Sequence, residues 1–234
     1  MGIALDTAPA QALEEVKMNW HKKVLDKSGR DAALRLALAA GGNFYLAGGT
    51  GLALRLGHRI SLDLDLFSVD CLLNHSDRTA LKKTLEISGK VEILDEKDGT
   101  CHLRLGNTAV SLFHYPYELL KPPSKWAGLK IASVEDISAM KLSAVVSRGS
   151  KKDFIDLFFM CRLHKATDLF KWAELKFPNH PNFAVQAAKA LVYFEDAEKE
   201  PMPRMLKPAA WTEIKEFFEK EIPKLFYGRK GGII

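Results

Sequence analysis

Two patterns of apolar residues run along the chain, and they divide it near residue 132. Helical spacing predicts helices, and short alternating or continuous apolar runs predict strands. Before residue 132 the predicted helices are 10–27, 31–40, a short one after the glycines at 48–49, and 77–88. The predicted strands there are 44–47, 61–67, 91–94, 101–105 and 108–115, with a last short one at Ile131. After residue 132 the predicted helices are 133–147, 152–163, 167–176, 182–197 and 210–220.

This order of elements predicts an α+β protein with a mixed sheet core flanked by helices. The composition changes from mixed helix and strand to all helix at the predicted boundary. We therefore expect an α/β core with N-terminal helices at 1–132 and a helical C-terminal domain at 133–234 that completes the site. The 234 residues are enough for one large domain or two small ones.

A strand with two carboxylates stands out within this pattern. Polar and apolar residues alternate strictly from Ser61 to Phe67, so Asp63 and Asp65 point to the same face. Like charges held so close repel, and a cation between them relieves the repulsion. The strand can instead be a solvent-facing edge with two solvated acids, although Asp is disfavoured in strands.

A glycine turn precedes that strand. Gly48-Gly49-Thr50 lies between a buried strand and the start of a short helix. Free N–H groups and the helix dipole favour a phosphate at such a point, whereas paired glycines alone are often only a turn. A phosphate cradle followed by a carboxylate pair predicts a site for a nucleoside triphosphate (NTP) and a metal.

Composition narrows the class of protein. Lys and Arg number 34 against 29 acidic residues, and the net charge of +5 is a mild bias toward polyanionic partners. The three cysteines lack CxxC spacing, which favours a reducing compartment without a zinc site. No apolar run approaches the roughly 20 residues of a membrane span, and no secretion signal is recognisable. We expect a cytoplasmic protein without a membrane partner.

Five further polar residues are candidates for the site. Arg59 can pair with a phosphate or an aspartate, or lie in a surface loop, and the neighbouring His58 is interpreted as a packing residue. Lys141 lies among apolar residues and can reach a triphosphate or snorkel to solvent. Asp153 and Asp156 share a face of an apolar helix, and either ion pairs or an active-site role explains them.

These motifs resemble those of the AbiEii/AbiGii toxin family of nucleotidyltransferases, over about residues 40–165. The resemblance implies a polymerase-beta-like nucleotidyltransferase core followed by a helical region. It also implies a bacterial or archaeal toxin–antitoxin or phage-defence setting, NTP as substrate, tRNA or another RNA as acceptor, and a possible cognate antitoxin. The motifs are Gly48-Gly49-Thr50, Gly57-His58-Arg59-x-Ser61-x-Asp63-x-Asp65-x-Phe67, and Lys141…Arg148…Lys152-Asp153-x-x-Asp156-Leu157.

The resemblance also implies roles for individual residues. Asp63 and Asp65 would hold Mg²⁺ or Mn²⁺, which clamps the triphosphate and stabilises charge on the leaving pyrophosphate. Asp153 would belong to the later catalytic motif, and Asp156 would orient Lys141 or its helix. The residues expected to bind the nucleotide are Gly48, Gly49, Thr50, Arg59, Ser61 and Lys141.

The chain departs from the superfamily at one position. Polymerase-like transferases carry a third carboxylate on a later strand, and the strand 108–115 has no acid. Ser111 or His114 occupies the expected position. Three hypotheses remain: His114 acts as the base, Asp153 replaces the third carboxylate from its helix, or the metal site is half-filled.

We therefore expect an Mg²⁺-dependent nucleotidyltransferase that moves NMP from an NTP to an acceptor hydroxyl of RNA, with tRNA as the first candidate. Two alternatives belong to other classes. The chain can be a catalytically impaired nucleotide-binding module, or an interaction protein bound by an antitoxin.

Overall fold

The computed structural model describes residues 19–40 and 42–227. Half of the predicted helix 10–27 lies outside these ranges, and in the described half the prediction was wrong, because only Lys27 lies in an α-helix. Within them, seven strands and nine α-helices follow a short 3-10 turn at Lys22–Val24. The strands are β1 (Tyr45–Leu46), β2 (Asp63–Ser68), β3 (Glu92–Lys97), β4 (Thr100–Leu105), β5 (Thr108–His114), β6 (Ser124–Trp126) and β7 (Leu129–Ile131). The helices are α1 (Lys27–Ala39), α2 (Gly48–Leu56), α3 (His75–Ile87), α4 (Val134–Ser147), α5 (Lys151–Cys161), α6 (Ala166–Lys176), α7 (Phe183–Ala190), α8 (Glu195–Glu198) and α9 (Trp211–Tyr227).

The described strands form one mixed sheet in the order β3-β4-β5-β2-β1-β7-β6. The pairs β2–β5 and β1–β7 are parallel, and the other neighbours are antiparallel. The carboxylate strand β2 therefore lies in the centre of the sheet, where its backbone is paired on both sides. A central position holds the two aspartates on a rigid part of the fold.

The two faces of the sheet differ in what covers them. The side chains of Leu64 and Leu66 are fully buried among β4, β5, α1 and α3. The side chains of Asp63, Asp65 and Phe67 point to the opposite face and are exposed or half-buried. The alternation predicted from the sequence is thus present from residue 63, and the cleft lies over the less buried face.

Leu64 and Leu66 belong to one cluster of buried apolar side chains, and a second cluster joins the sheet to the C-terminal helices. Side chains of β1 and α2 pack in it with those of α4, α5, α6, α7 and α9. The predicted mixed sheet with flanking helices and a helical C-terminal region is confirmed. The division into two domains at residue 132 stays a prediction. Among the described residues, no helix combines the length and the apolar character needed to cross a bilayer.

Another predicted helix was wrong in detail, and one strand was missed. The predicted helix 182–197 is two helices, α7 and α8, because the chain turns between them and Phe194 packs on Phe154 at 5.1 Å between ring centroids. The strand β6 was missed after Pro122-Pro123. It pairs with β7 through the two-residue turn Ala127-Gly128, both of whose residues have positive φ (49° and 83°). Ala is uncommon in such a hairpin turn, so the usual signal is weak.

Candidate active site

Asp63 and Asp65 lie at the bottom of a cleft between the sheet and the C-terminal helices. The Asp63 side chain is exposed, and the Asp65 side chain is half-buried on the same face of β2. Burial raises the pKa of the Asp65 carboxyl above its ordinary value, and the neighbouring Asp63 adds to the rise, whereas Lys141 opposes it. A cation between the two carboxylates would offset this unfavourable environment.

The glycine turn brings a backbone against these carboxylates. Gly48 has a positive φ of 57°, and a Cβ there would lie 2.6 Å from Asp65 Oδ2. A Cβ on Gly49 would collide with the Arg59 guanidinium. The first hydrogen bond into the helix runs from Gly51 N to Ala47 O at 2.9 Å, so the preceding N–H groups lie in the open first turn. Only glycine fits this close approach of the turn to β2.

Thr50 links the turn to the carboxylate strand. Its buried hydroxyl lies 2.7 Å from Ser61 Oγ and also contacts the Asp63 carbonyl oxygen. In addition, Ala47 N donates to Asp65 O at 3.0 Å. The Thr50 side chain therefore fixes the position of Asp63, while Gly49 and Ser61 line the cleft itself.

Asp156 is the centre of a fully buried charge network. Its carboxylate accepts hydrogen bonds from Arg59 Nε at 2.7 Å and Nη2 at 2.8 Å, and from His58 Nε2 at 2.7 Å. Lys141 Nζ lies 2.6 Å from Asp156 Oδ2, the oxygen that also accepts from Arg59 Nη2. Burial alone would raise the pKa of Asp156, but Arg59 and Lys141 hold it well below its ordinary value. Burial lowers the pKa of His58, so a neutral imidazole donates Nε2–H to the carboxylate.

Asp153 continues the network one helical turn earlier. It accepts from Lys141 Nζ at 2.7 Å, Arg148 Nε at 2.9 Å and Ser150 Oγ at 2.8 Å. Burial raises the pKa of Asp153, but Lys141 and Arg148 outweigh burial and bring it to about 2. Burial also lowers the pKa of Lys141, and Asp156 and Asp153 more than reverse that effect. Lys141 is therefore a charged residue with two of its three donors bound to carboxylates.

A segment close to the C-terminus covers one side of the cleft. We call residues 200–207 the strap. It runs antiparallel beside residues 58–60: Ile60 N donates to Arg204 O at 2.9 Å, and Leu206 N donates to His58 O at 2.8 Å. At its start, the Glu200 carboxylate accepts from Lys151 N at 2.9 Å at the N-terminus of α5. The strap is thus fixed to both walls of the cleft.

The strap, β2 and α5 enclose a cationic cavity of about 420 Å³. Two of its cations, Lys152 and Arg204, are exposed and have no ion-pair partner among the described residues. Arg148 pairs with Asp153 but keeps 64% of its side chain exposed. The charged residues that line the cavity are Arg59, Lys141, Arg148, Lys152, Arg204, Asp63, Asp65, Asp153 and Glu200.

A second cavity of about 250 Å³ lies on the other side of Asp65. Its wall on the sheet side is aromatic: Phe67 stacks on Phe113 with ring centroids 5.2 Å apart, and Tyr115 meets Phe67 edge-on at 5.5 Å. Gly48 and helix α4 form the opposite wall. Asp65, Lys141 and Arg148 line both cavities, whereas Asp63 lines only the first. Asp65 therefore lies between a cationic cavity and a cavity with an aromatic wall.

The register of β5 identifies the residue at the position of the missing acid. Ser111 pairs with Asp65, whereas His114 pairs with Ser68 on the opposite face. Of the two residues predicted for this position, Ser111 is the one beside the carboxylates. Within the described ranges, no group of three or more His, Cys, Asp or Glu side chains is arranged to hold a metal. Two carboxylates are enough for Mg²⁺ when substrate phosphates and water complete its coordination.

Sequence reasoning missed the strap and its cation. Arg204 lies in a proline-rich stretch that reads as an ordinary surface loop, and Lys152 reads as the exposed first turn of α5. The signal that could have found them is modest. Lys152 is part of the Lys152-Asp153 motif but was given no role there, and Pro201 and Pro203 indicate an extended segment rather than a helix.

Comparison with known proteins identifies the family. The profile described as "Nucleotidyl transferase AbiEii toxin, Type IV TA system" matches residues 35–227. The uncharacterized protein aq_aa25 of Aquifex aeolicus (strain VF5) is 36% identical over 203 residues, which cover 85% of this chain and 96% of that protein.

Two solved structures share the fold. MenT4, a nucleotidyltransferase toxin of Mycobacterium tuberculosis H37Rv, superposes with a TM-score of 0.54 at 16% identity, over 84% of this chain and 83% of that one. JHP933 of Helicobacter pylori superposes with a TM-score of 0.51 at 17% identity, over 88% and 91% of the two chains. With the profile match over most of its length, the chain belongs to the AbiEii family of nucleotidyltransferase toxins of type IV toxin–antitoxin systems.

Proposed function

We propose that the enzyme transfers NMP from an NTP to a hydroxyl of RNA, with tRNA as the first candidate, and that the reaction depends on Mg²⁺. The observation that carries the proposal is the position of Asp65 between two cavities, one lined by five cations together with Asp63, the other walled on one side by aromatic rings. In the proposed reaction, the α-phosphate of the NTP has the charged β- and γ-phosphates on one side and the RNA acceptor on the other. The cationic and aromatic cavities offer those two environments.

The cationic cavity suits the β- and γ-phosphates. The open first turn at Gly48 and Gly49 offers N–H groups to phosphate oxygens. Arg148, Lys152 and Arg204 bring cationic side chains that are exposed to the cavity. Lys141 has one donor left for the substrate after its two carboxylate contacts. We assign the main charge neutralisation to the exposed cations and a smaller share to Lys141.

The carboxylate pair suits a hard divalent cation. Carboxylate oxygens are the ligands that Mg²⁺ prefers, and the raised pKa of Asp65 indicates a carboxylate whose ionisation a cation would favour. The bound ion would neutralise phosphate charge and stabilise the leaving pyrophosphate. The protein contributes the rigidity of β2 and the contact from Thr50 to the Asp63 carbonyl, which hold both carboxylates in place.

The aromatic cavity suits a nucleobase of an RNA acceptor. Bases stack on Phe and Tyr rings with little sequence preference, at about 1–3 kcal/mol for each base. The net charge of +5 favours a polyanion as the larger substrate. Toxin family membership implies an antitoxin partner. We also propose a cytoplasmic location, where NTPs and tRNA are both present.

The experiment is a transfer assay with each α-³²P-labelled NTP, MgCl₂ and total tRNA. The expected result is label on RNA for one or more NTPs, lost in Asp63→Asn and kept in Asp70→Asn. Asp70 is a matched control because it is exposed just beyond β2 and lines neither cavity.

The alternatives predict other outcomes. NTP binding without any transfer by the wild type, where a known nucleotidyltransferase is active, would favour the impaired nucleotide-binding module. Absence of both binding and transfer would leave the interaction protein. Transfer by Asp63→Asn at the wild-type rate would contradict the assignment of the metal ligand.

A further inference from the structure

Four polar residues form a row across neighbouring strands on the cleft face of the sheet. Asp65 of β2 pairs with Ser111 of β5, Ser111 pairs with His102 of β4, and His102 pairs with Asp95 of β3. Residues opposite each other on adjacent strands share a face and lie about 4.8 Å apart across each step. The row therefore leads from the carboxylate pair of the cleft to an imidazole two strands away.

Ser111 and His102 are joined by a hydrogen bond. The Ser111 Oγ lies 3.0 Å from His102 Nδ1, and both side chains are partly buried. The ring of Phe113 meets the imidazole edge-on, with centroids 5.6 Å apart. These contacts hold the imidazole in one orientation, with a ring nitrogen against the hydroxyl and the aromatic cavity beside it.

The other acids at the cleft are poor candidates for the base. Asp153 has a pKa of about 2 because Lys141 and Arg148 outweigh its burial, so it is a weak proton acceptor at neutral pH. The Glu200 carboxylate accepts the first N–H of α5. Asp63 and Asp65 are assigned to the cation. Among the described acids that line the two cavities, these four are the complete set.

We propose that the Ser111–His102 pair takes the proton of the acceptor hydroxyl, in place of a third carboxylate. This inference rests on the proposed nucleotidyl transfer. In this proposal Ser111, directly opposite Asp65, is the catalytic residue that meets the acceptor hydroxyl, and His102 is a positioning residue that acts through Ser111.

The acceptor oxygen forms a bond to the α-phosphorus, and the bond from that phosphorus to the bridging oxygen breaks, so that pyrophosphate leaves with the electron pair. The acceptor proton passes to Ser111 Oγ while the serine proton passes to His102 Nδ1. The charged groups near His102 on this face are Asp95, Lys97 and Glu92 of β3, Arg104 of β4 and, beyond Ser111, Asp65 of β2.

Transfer kinetics test the pair against a carboxylate placed at the same position. His102→Gln should lower the transfer rate by about 100-fold or more, in the range of general base catalysis, with the affinity for NTP unchanged. Adding Ser111→Asp to this variant should restore most of the rate, because the new carboxylate can take the proton directly. Carboxyl groups titrate about two pH units below imidazoles. The acidic limb of the pH–rate profile should therefore move to lower pH in the double variant.

His114→Gln is the control, since His114 lies on the opposite face of β5. It should leave the rate and the pH profile unchanged. If His102→Gln keeps the wild-type rate and profile, the pair is not the proton acceptor, although nucleotidyl transfer itself stands. Loss of rate in His102→Gln without rescue by Ser111→Asp would also overturn the inference, by assigning His102 a purely structural role.

A measurement without turnover separates this inference from the proposed function. ¹⁵N NMR of the histidine rings reports which nitrogen of neutral His102 carries the proton. The inference requires a proton on Nε2 and an unprotonated Nδ1 that accepts from Ser111, and Ser111→Ala should shift the Nδ1 resonance. A protonated Nδ1 in the neutral ring would overturn the proposed relay whether or not the enzyme transfers label.

Discussion

Asp156→Asn is the substitution that tests the buried network most severely. Four donor contacts converge on the Asp156 carboxylate, from His58, from both Arg59 nitrogens and from Lys141. Asn removes the negative charge and turns one oxygen into an NH₂ group, which is itself a donor. At least one donor that faced an oxygen then faces another donor. Arg59 and Lys141 also remain charged in a site with almost no solvent.

The magnitude follows from burial. Removing one partner of a buried ion pair costs about 3–5 kcal/mol, because the remaining charge loses its compensation. That is a large part of the roughly 5–15 kcal/mol by which a domain is usually stable. With a urea m-value of about 3 kcal/mol/M, the unfolding midpoint should fall by about 1 to 1.7 M.

The assay is urea unfolding at pH 7, followed by circular dichroism. The matched control is Asp31→Asn, which makes the same chemical change in an exposed pair with Lys27 at 2.6 Å. The control should cost no more than about 0.5 kcal/mol, as expected for a surface pair on a helix. A loss below about 1 kcal/mol in Asp156→Asn would refute the reasoning, since the network would then be no more important than a solvated ion pair.

Three further predictions follow from the cleft. Gly48→Ala should lower the unfolding free energy by about 1–2 kcal/mol, because residue 48 has a positive φ. The rate of nucleotidyl transfer should fall by about 100-fold, because the new Cβ displaces Asp65. A wild-type transfer rate would contradict the close approach of Gly48 to Asp65. Arg204→Ala should raise the Kd for NTP by about 10-fold, the effect of one charge-assisted hydrogen bond, in isothermal titration. The control Lys207→Ala, on the same strap but outside the cavity, should not change it, and equal effects would contradict the role of Arg204. The pKa of Asp153 is about 2, against an ordinary value of 3.8, so its ion pairs stabilise the fold above about pH 4. About 2 kcal/mol of unfolding free energy should therefore be lost as the pH falls from about 4 to 2. Asp153→Asn should show a correspondingly smaller loss in urea unfolding over that range, and an unchanged loss would contradict the ion pair.

Local patterns predicted the part of the site that lies in one stretch of chain. The alternation from Asp63 to Phe67 is a property of the strand itself, so it placed Asp63 and Asp65 on one face without knowledge of the fold, although Ser61 and Leu62 lie outside the strand. The glycine turn was predictable for the same reason, because Gly48 and Gly49 follow a short strand along the chain and form the first turn of α2.

The rest of the site depends on contacts between distant segments. The pairing of Arg59 with Asp156 joins residues 97 positions apart, and sequence reasoning left both partners open between ion pairs and substrate contacts. The strap places Arg204 beside Ile60 through a backbone hydrogen bond, which no side-chain pattern encodes. Whether Ser111 or His114 stood beside the aspartates depended on the register of β5 against β2, which only the assembled sheet fixes.

The position of the label in the substrate gives the most direct test of nucleotidyl transfer. The wild-type enzyme is incubated with the same NTP carrying ³²P at the α- or at the γ-phosphate, in the presence of Mg²⁺ and the RNA acceptor. Nucleotidyl transfer predicts α-label on the RNA and γ-label in released pyrophosphate. Label on RNA from the γ-phosphate would contradict the account, because it would show phosphoryl rather than nucleotidyl transfer.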